Sequence, residues 1–194
     1  MKKDIILSGV GGQGILSIAT VIGRAALEEG LQIKQAEVHG MSQRGGDVQS
    51  NLRISSSRID SDLIARGGAD LIISLEPMEA LRYLPWLAAD GWVITNTVPF
   101  VNIPNYPDAE ALQHELASLP HVVALDVDSL AKAAASPRSA NMVLLGAAAP
   151  FLGLEAGKFE QGIRAIFARK GDAVVEMNLA AFRAGYEQAK KQIR

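Results

Sequence analysis

A run of strand formers, a glycine-dense turn and a helical pattern follow one another without a gap at the start of this chain. Ile5-Ile6-Leu7 reads as a buried strand, and Gly9-Val10-Gly11-Gly12-Gln13-Gly14 follows it directly. Ile15, Ile18, Ala19, Ile22, Ala25 and Ala26 then recur at helical spacing as far as Leu27. Gly30 stands where a helix ends in a left-handed cap, and a second strand is expected over Gln32–Val38. A strand that hands over to a helix through so tight a turn must return to its sheet by a crossover, with the helix on one face.

The same alternation continues. Asp47–Ile54 places Val48, Ser50, Leu52 and Ile54 on one side, as a strand with one polar face does. Asp70–Leu75 reads as a strand, with Pro77 opening a helix expected to run to Ala88. Further strands are expected at Trp92–Thr95 and Val122–Val127, with a helix at Ala109–Ala117 between them. Pro99–Pro107, with three prolines and two asparagines, reads as an irregular excursion. Helices at Ser139–Leu152, Phe159–Arg169 and Asp172–Gln192 close the chain. The fold class expected is α/β: one domain over residues 1–194, with a mostly parallel sheet and helices on both faces.

Composition narrows the chemistry. The 194 residues include no cysteine, which excludes disulfides, cysteine-ligated iron–sulfur clusters, thiolate zinc and a thiol nucleophile in this chain. His39, His114 and His121 lie far apart, so no metal site is expected. A formal net charge of −2, with basic character confined to Lys190-Lys191-Gln192-Ile193-Arg194, argues against nucleic acid. The longest apolar stretch, Met142–Leu154, is interrupted by Gly146, Pro150 and Gly153 and falls short of the roughly 20 residues of a membrane span. A soluble, cytoplasmic chain without a membrane partner is expected.

Two loops carry the candidate site. The Gly9–Gly14 turn satisfies G-x-G-x-x-G in its meaningful context, after a strand and opening a helix. Gly9 permits the turn, Gly11 a close backbone approach, and Gly14 close helix packing, while the free N–H groups of the helix start favour an anion. Glu37, 23 residues beyond Gly14, stands where a dinucleotide-binding domain keeps its ribose-binding acid. A nucleotide site and a bare strand-to-helix crossing therefore both stay open. The second loop, from Glu37 to Asp47, contains His39, Ser42, Arg44, Gly45 and Gly46. An arginine beside two glycines offers a guanidinium next to unencumbered amides, a setting suited to phosphate or carboxylate.

Taken together, these residues resemble the gamma-type subunit or domain of 2-oxoacid:ferredoxin oxidoreductases. The resemblance rests on Gly9-Val-Gly-Gly-Gln-Gly-Ile15, Ser42-Gln-Arg-Gly-Gly46 with the strand ending Asn51-Leu52-Arg53, Ala69-Asp70-Leu71 through Glu76-Pro77, and Asn141-Met-Val-Leu-Leu-Gly146. A separate chain of this size is similar to the small subunit of the indolepyruvate branch. The resemblance implies a Rossmann-like fold and oxidative decarboxylation of a 2-oxoacid to an acyl-CoA. It also implies CoA as co-substrate, and thiamine diphosphate and iron–sulfur clusters on a large alpha partner subunit that passes electrons to ferredoxin. No catalytic residue is then expected in this chain, which lacks the Gly-Asp-Gly…Asn-Asn pattern of a thiamine diphosphate site. Gly9, Gly11, Gly12, Gln13, Gly14, His39, Ser42, Arg44, Gly45 and Gly46 are the expected ligand-binding set. The rival expectation is a free-standing NAD-dependent dehydrogenase using Glu37. Gly146–Pro150 and Met177–Tyr186 could pack on another surface, and a homodimer of the isolated chain would fit them, although core packing explains the same residues.

Overall fold

The structure, a computed structural model, describes residues 1–39, 45–134 and 136–193. Its first strand, β1 (Lys2–Val10), is buried continuously from Asp4 to Val10, as a strand covered on both faces must be. Helix α1 (Ile15–Glu28) presents Ile15, Ile18, Ala19, Val21, Ile22, Ala25 and Ala26 to the sheet and ends at Gly30, whose φ is +71°. Strands β2 (Gln32–His39), β3 (Asp47–Ser55), β4 (Ala69–Ser74), β5 (Leu87–Asn96) and β6 (Val122–Leu125) complete one sheet in the order β2-β3-β1-β4-β5-β6.

Strands β1, β4, β5 and β6 pair in parallel. β3 is antiparallel to both β1 and β2, so it occupies the place beside β1 that β2 takes in a dinucleotide-binding sheet. This inversion was not legible in the hydrophobic pattern, because a strand between two others alternates identically in either direction.

Alternate residues divide the core. Ile5, Leu7, Leu52, Ile54, Leu71, Ile73, Ile94 and Val123 face a large apolar layer that also includes residues of α1, α4 (Val127–Ala134), α5 (Ala140–Ala148), α6 (Ala156–Phe167) and α7 (Asp172–Gln192). Ile6, Ile72 and Val93 face the other way, with Ala80 and Tyr83, against α2 (Pro77–Arg82). Helix α3 (Ala109–Ser118) packs against α2 and β6. Helices thus cover both faces, as expected.

Several boundaries moved for local reasons. The helix from Pro77 stops at Arg82, a 3₁₀ turn spans Leu84–Trp86, and β5 starts at Leu87. Pro85 removes an amide and disfavours helical geometry at Leu84. β6 ends at Leu125 and the unforeseen helix α4 begins at Val127, capped by Asp126, whose Oδ1 accepts from the Ser129 amide at 2.8 Å. Helix α5 yields to a 3₁₀ turn at Ala149–Phe151, where Pro150 cannot continue it.

Of the residues weighed as an outer interface, 146–149, Asn178, Leu179, Ala181, Phe182 and Gly185 are buried, whereas Pro150 and Arg183 are exposed. A Cβ on Gly146 would sit 1.9 Å from the Phe182 carbonyl oxygen, and one on Gly185 would sit 1.9 Å from that of Val143. Helices α5 and α7 cross backbone to backbone at these two glycines. Among the described residues no helix is long and apolar enough to cross a membrane.

The two edges of the sheet differ. Where β1 starts, Arg53 grips the buried Asp4 carboxylate through Nε at 2.7 Å and Nη2 at 3.0 Å. Its Nη1 donates to the carbonyls of Ser61 (2.9 Å) and Leu63 (3.1 Å). Burial pushes the Asp4 carboxyl up, but the Arg53 and Lys2 pairs outweigh it and hold it below the usual aspartate value. At the opposite edge, α1 and α2 leave β1 and β4 toward opposite faces. A crevice beyond the carboxyl ends of those strands is where α/β sheets bind ligands.

Candidate functional site

The glycine turn occupies that edge, and its backbone explains its composition. Gly12 and Gly14 have φ of +103° and +90°, a region L side chains rarely adopt. At Gly9 a Cβ would strike Ile15 Cδ1 at 2.7 Å and Gln13 Oε1 at 2.8 Å. Gln13 clamps the turn: Oε1 accepts from the Val10 amide at 2.7 Å, and Nε2 donates to the Leu75 carbonyl at 3.2 Å. Both ends of its carboxamide are thereby engaged. Gly14 packs against α5 rather than the sheet, since a Cβ there would lie 2.7 Å from Asn141 Nδ2. Among the described residues, the amides of Gly12, Gly14, Ile15 and Leu16 are paired with no protein acceptor. They are donors that the described residues leave open at and just before the start of α1.

The two sequence-predicted loops meet. Gly11 donates its N–H to the Gly46 carbonyl at 2.8 Å and accepts from the Gly45 amide at 3.3 Å. The close approach foreseen at Gly11 is therefore made by the second loop, and its amide is not an open donor. His39 ends β2 opposite Val48. Ser42, Arg44 and the His39 side chain lie outside the described residues.

A third segment, missed in the sequence, completes the site. The excursion between β5 and α3 folds over this edge as a strap. Asn102 Nδ2 donates to the Gly45 carbonyl at 2.6 Å. Glu76, fully buried, accepts from the Glu79 amide at 2.8 Å, the Phe100 amide at 3.3 Å and the Tyr106 hydroxyl. Val98, Phe100, Val101 and Ile103 remain exposed on the strap. The signal was the pair of asparagines among prolines at the carboxyl end of a strand, read only as irregularity.

Two clefts flank the turn. The first, about 330 Å³, is lined by Val10, Gly11, Gly12, Gly14, Ile15, Leu16, Glu37 and Val48. The second, about 220 Å³, lies between the turn and α4, with Asn96, Asp128, Arg138 and Asn141 on its wall. Gly12, Gly14, Ile15 and Leu16, whose amides no described residue accepts, line the first cleft together with one carboxylate, Glu37. Glu37 stands on β2, with antiparallel β3 between it and β1, so it does not have the relation to the turn that a parallel β1–β2 pair would give a ribose-binding acid. Among the described residues no group of three His, Cys, Asp or Glu could hold a metal ion.

A family model described as pyruvate ferredoxin/flavodoxin oxidoreductase matches residues 4–188. The chain belongs to this family. An indolepyruvate oxidoreductase subunit IorB of Archaeoglobus fulgidus is 37% identical, over 97% of this chain and 96% of that one. The gamma subunit of a keto/oxoacid ferredoxin oxidoreductase from Geobacter sulfurreducens superposes with a TM-score of 0.71 at 26% identity, covering 97% of this chain and 99% of that one. The same fold recurs at a TM-score of 0.76 and 22% identity in a 2-oxoglutarate:ferredoxin oxidoreductase from Magnetococcus marinus, solved with 2-oxoglutarate, coenzyme A and succinyl-CoA. This chain, 98% covered, spans 31% of the length of that one.

Proposed function

We propose that this chain is the small, cluster-free subunit of an indolepyruvate:ferredoxin oxidoreductase. In that reading it works with a large alpha subunit holding thiamine diphosphate and the iron–sulfur clusters. The similarity to an indolepyruvate oxidoreductase subunit over nearly the full length of both chains carries the reading. The overall reaction takes a 2-oxoacid anion, CoA and two oxidised ferredoxins to an acyl-CoA, carbon dioxide, two reduced ferredoxins and a proton, with thiamine diphosphate on the partner supplying the electron sink. The absence of cysteine from this chain fits a division of labour in which the partner carries the cysteines.

This chain's own part is to bind and position. The open amides of Gly12, Gly14, Ile15 and Leu16 at the start of α1 suit a phosphate group of CoA, with Arg44 as the charge-assisted contact. Glu37 on the rim repels a second anion and so favours one orientation of the ligand. The exposed apolar side chains of the strap support an orientation in which this edge faces the large subunit.

The test is co-expression with the large subunit, followed by an anaerobic assay across several 2-oxoacids. A stable complex with highest kcat/KM on indolepyruvate is expected, and Arg44→Ala is expected to raise the KM for CoA about tenfold or more without loss of assembly. Failure to form a complex contradicts the reading, as does an Arg44→Ala complex with an unchanged KM for CoA.

A further inference from the structure

The strap between β5 and α3 has no role in the reading above beyond its exposed side chains, yet its polar groups point inward. Three contacts bind it to the rest of the edge. Phe100 N–H and Tyr106 O–H both donate to Glu76 Oε1. Asn102 Nδ2 donates to the Gly45 carbonyl at 2.6 Å. At the strap's two ends, Asn96 Oδ1 accepts from the Val98 amide at 3.2 Å, and Gln113 Nε2 donates to the Thr97 carbonyl at 2.7 Å.

Gly45 is held from two sides: its amide donates to Gly11 and its carbonyl accepts from Asn102. Gly46 adds the return bond, accepting from the Gly11 amide. Glycine has no side chain to pin it, so the direction of these peptides depends on such bonds. Glu76 itself is anchored by the Glu79 amide and is fully buried, which gives the strap a fixed post. Burial first, and then the facing Glu76 carboxylate, push the Tyr106 hydroxyl above the usual tyrosine value, keeping it a donor.

We infer that Asn102, carried on a strap fastened by Tyr106 and Phe100 to the buried Glu76 carboxylate, is a positioning residue that sets the Gly45–Gly46 peptides against Gly11 and thereby the shape of the CoA-phosphate end of the site. This deepens the proposed function and rests on its assignment of CoA to this edge. Asn102 acts through Gly45 and touches no reacting atom. Tyr106 and Glu76 act one step further back. The carboxamide is specific: its NH₂ donates to a carbonyl, and an aspartate of the same shape in its place would turn an acceptor toward that carbonyl.

The experiment uses the assembled complex carrying Asn102→Asp, Asn102→Ala or Tyr106→Phe, beside Arg44→Ala. Three readouts are taken: assembly by size-exclusion chromatography, KM for CoA against kcat, and amide exchange at Gly45. Each variant is expected to assemble, to raise the KM for CoA about three- to tenfold with kcat within about twofold, and to speed exchange at Gly45 while β1 amides stay protected. Asn102→Asp should exceed Asn102→Ala, because the aspartate repels the Gly45 carbonyl. Unchanged exchange at Gly45 overturns the inference whatever the kinetics. Faster exchange with an unchanged KM for CoA overturns it as well, and Arg44→Ala then tells which claim has failed. If Arg44→Ala does raise KM, only the positioning role is lost; if it does not, the assignment of CoA to this edge falls too.

Discussion

Glycine does two opposite jobs in this molecule. In the turn after β1, Gly12 and Gly14 have positive φ, and a Cβ on Gly12 would meet no atom of the described residues within 4 Å. In the helical layer, Gly146 and Gly185 have helical backbones, and a Cβ on either would lie 1.9 Å from a carbonyl oxygen of the other helix. The first pair is there for backbone conformation, and at Gly12 it leaves space in front of it, although Gly14 also packs on Asn141; the second pair is there because no space remains. A glycine facing open space at a helix start is free to meet a ligand, whereas one facing a neighbouring backbone is committed to the fold.

Substitutions should separate the two sets. Gly146→Ala is expected to have the largest effect on stability, about 3 kcal/mol in urea unfolding, because two helix backbones must part to admit one methyl group. The complex that still assembles should keep its KM for CoA. Gly14→Ala should cost less, about 1–2 kcal/mol, through its left-handed φ and the displacement of Asn141, and should weaken CoA binding as well. An equal loss of stability with no change in KM would place Gly14 with the packing glycines.

A smaller effect comes from the closed edge of the sheet, which holds charge rather than open donors. The Asp4 carboxyl is held below its ordinary value in the folded chain. Its stabilising contribution is therefore complete above the unfolded aspartate pKa, about 3.9, and is lost as pH falls through the folded value. Glu79 has the opposite sign. Burial outweighs its Arg82 pair and raises its carboxyl, so its contribution is complete below the unfolded glutamate pKa, about 4.3, and is lost as pH rises through the folded value. Asp4→Asn is expected to lower stability at neutral pH by about 1 kcal/mol and to flatten the acid limb of the stability–pH curve, measured by urea midpoints between pH 3 and 7. An acid limb as steep as that of the parent chain would remove Asp4 from this role.

The sequence displayed the turn and the order of elements because both are local. Gly9 to Gly14 follows a strand directly, and α7 was read from Asp172 to Gln192 as it is observed. The two loops were read as one candidate site, and the Gly11 bonds to Gly45 and Gly46 join them. What was not legible is what depends on partners distant in sequence. The antiparallel direction of β3 is set by pairing, not by alternation. Asn102 reaches a carbonyl 57 residues earlier. The reciprocal contact of Gly146 with Phe182 and of Gly185 with Val143 leaves only two small residues among many as its trace. Helix α4 is the exception, since Asp126 and Ser129 formed a visible cap that the apolar run Val122–Val127 obscured.

The most direct measurement is the KM for CoA of the assembled complex carrying Gly12→Ala. The added methyl group would point into space that no atom of the described residues occupies, so among them only the positive φ of one residue resists it. A complex that assembles normally, loses about 1 kcal/mol of stability and shows a KM for CoA raised about tenfold is the expected result. An assembled complex with the KM of the parent enzyme would contradict the assignment of this turn to the ligand.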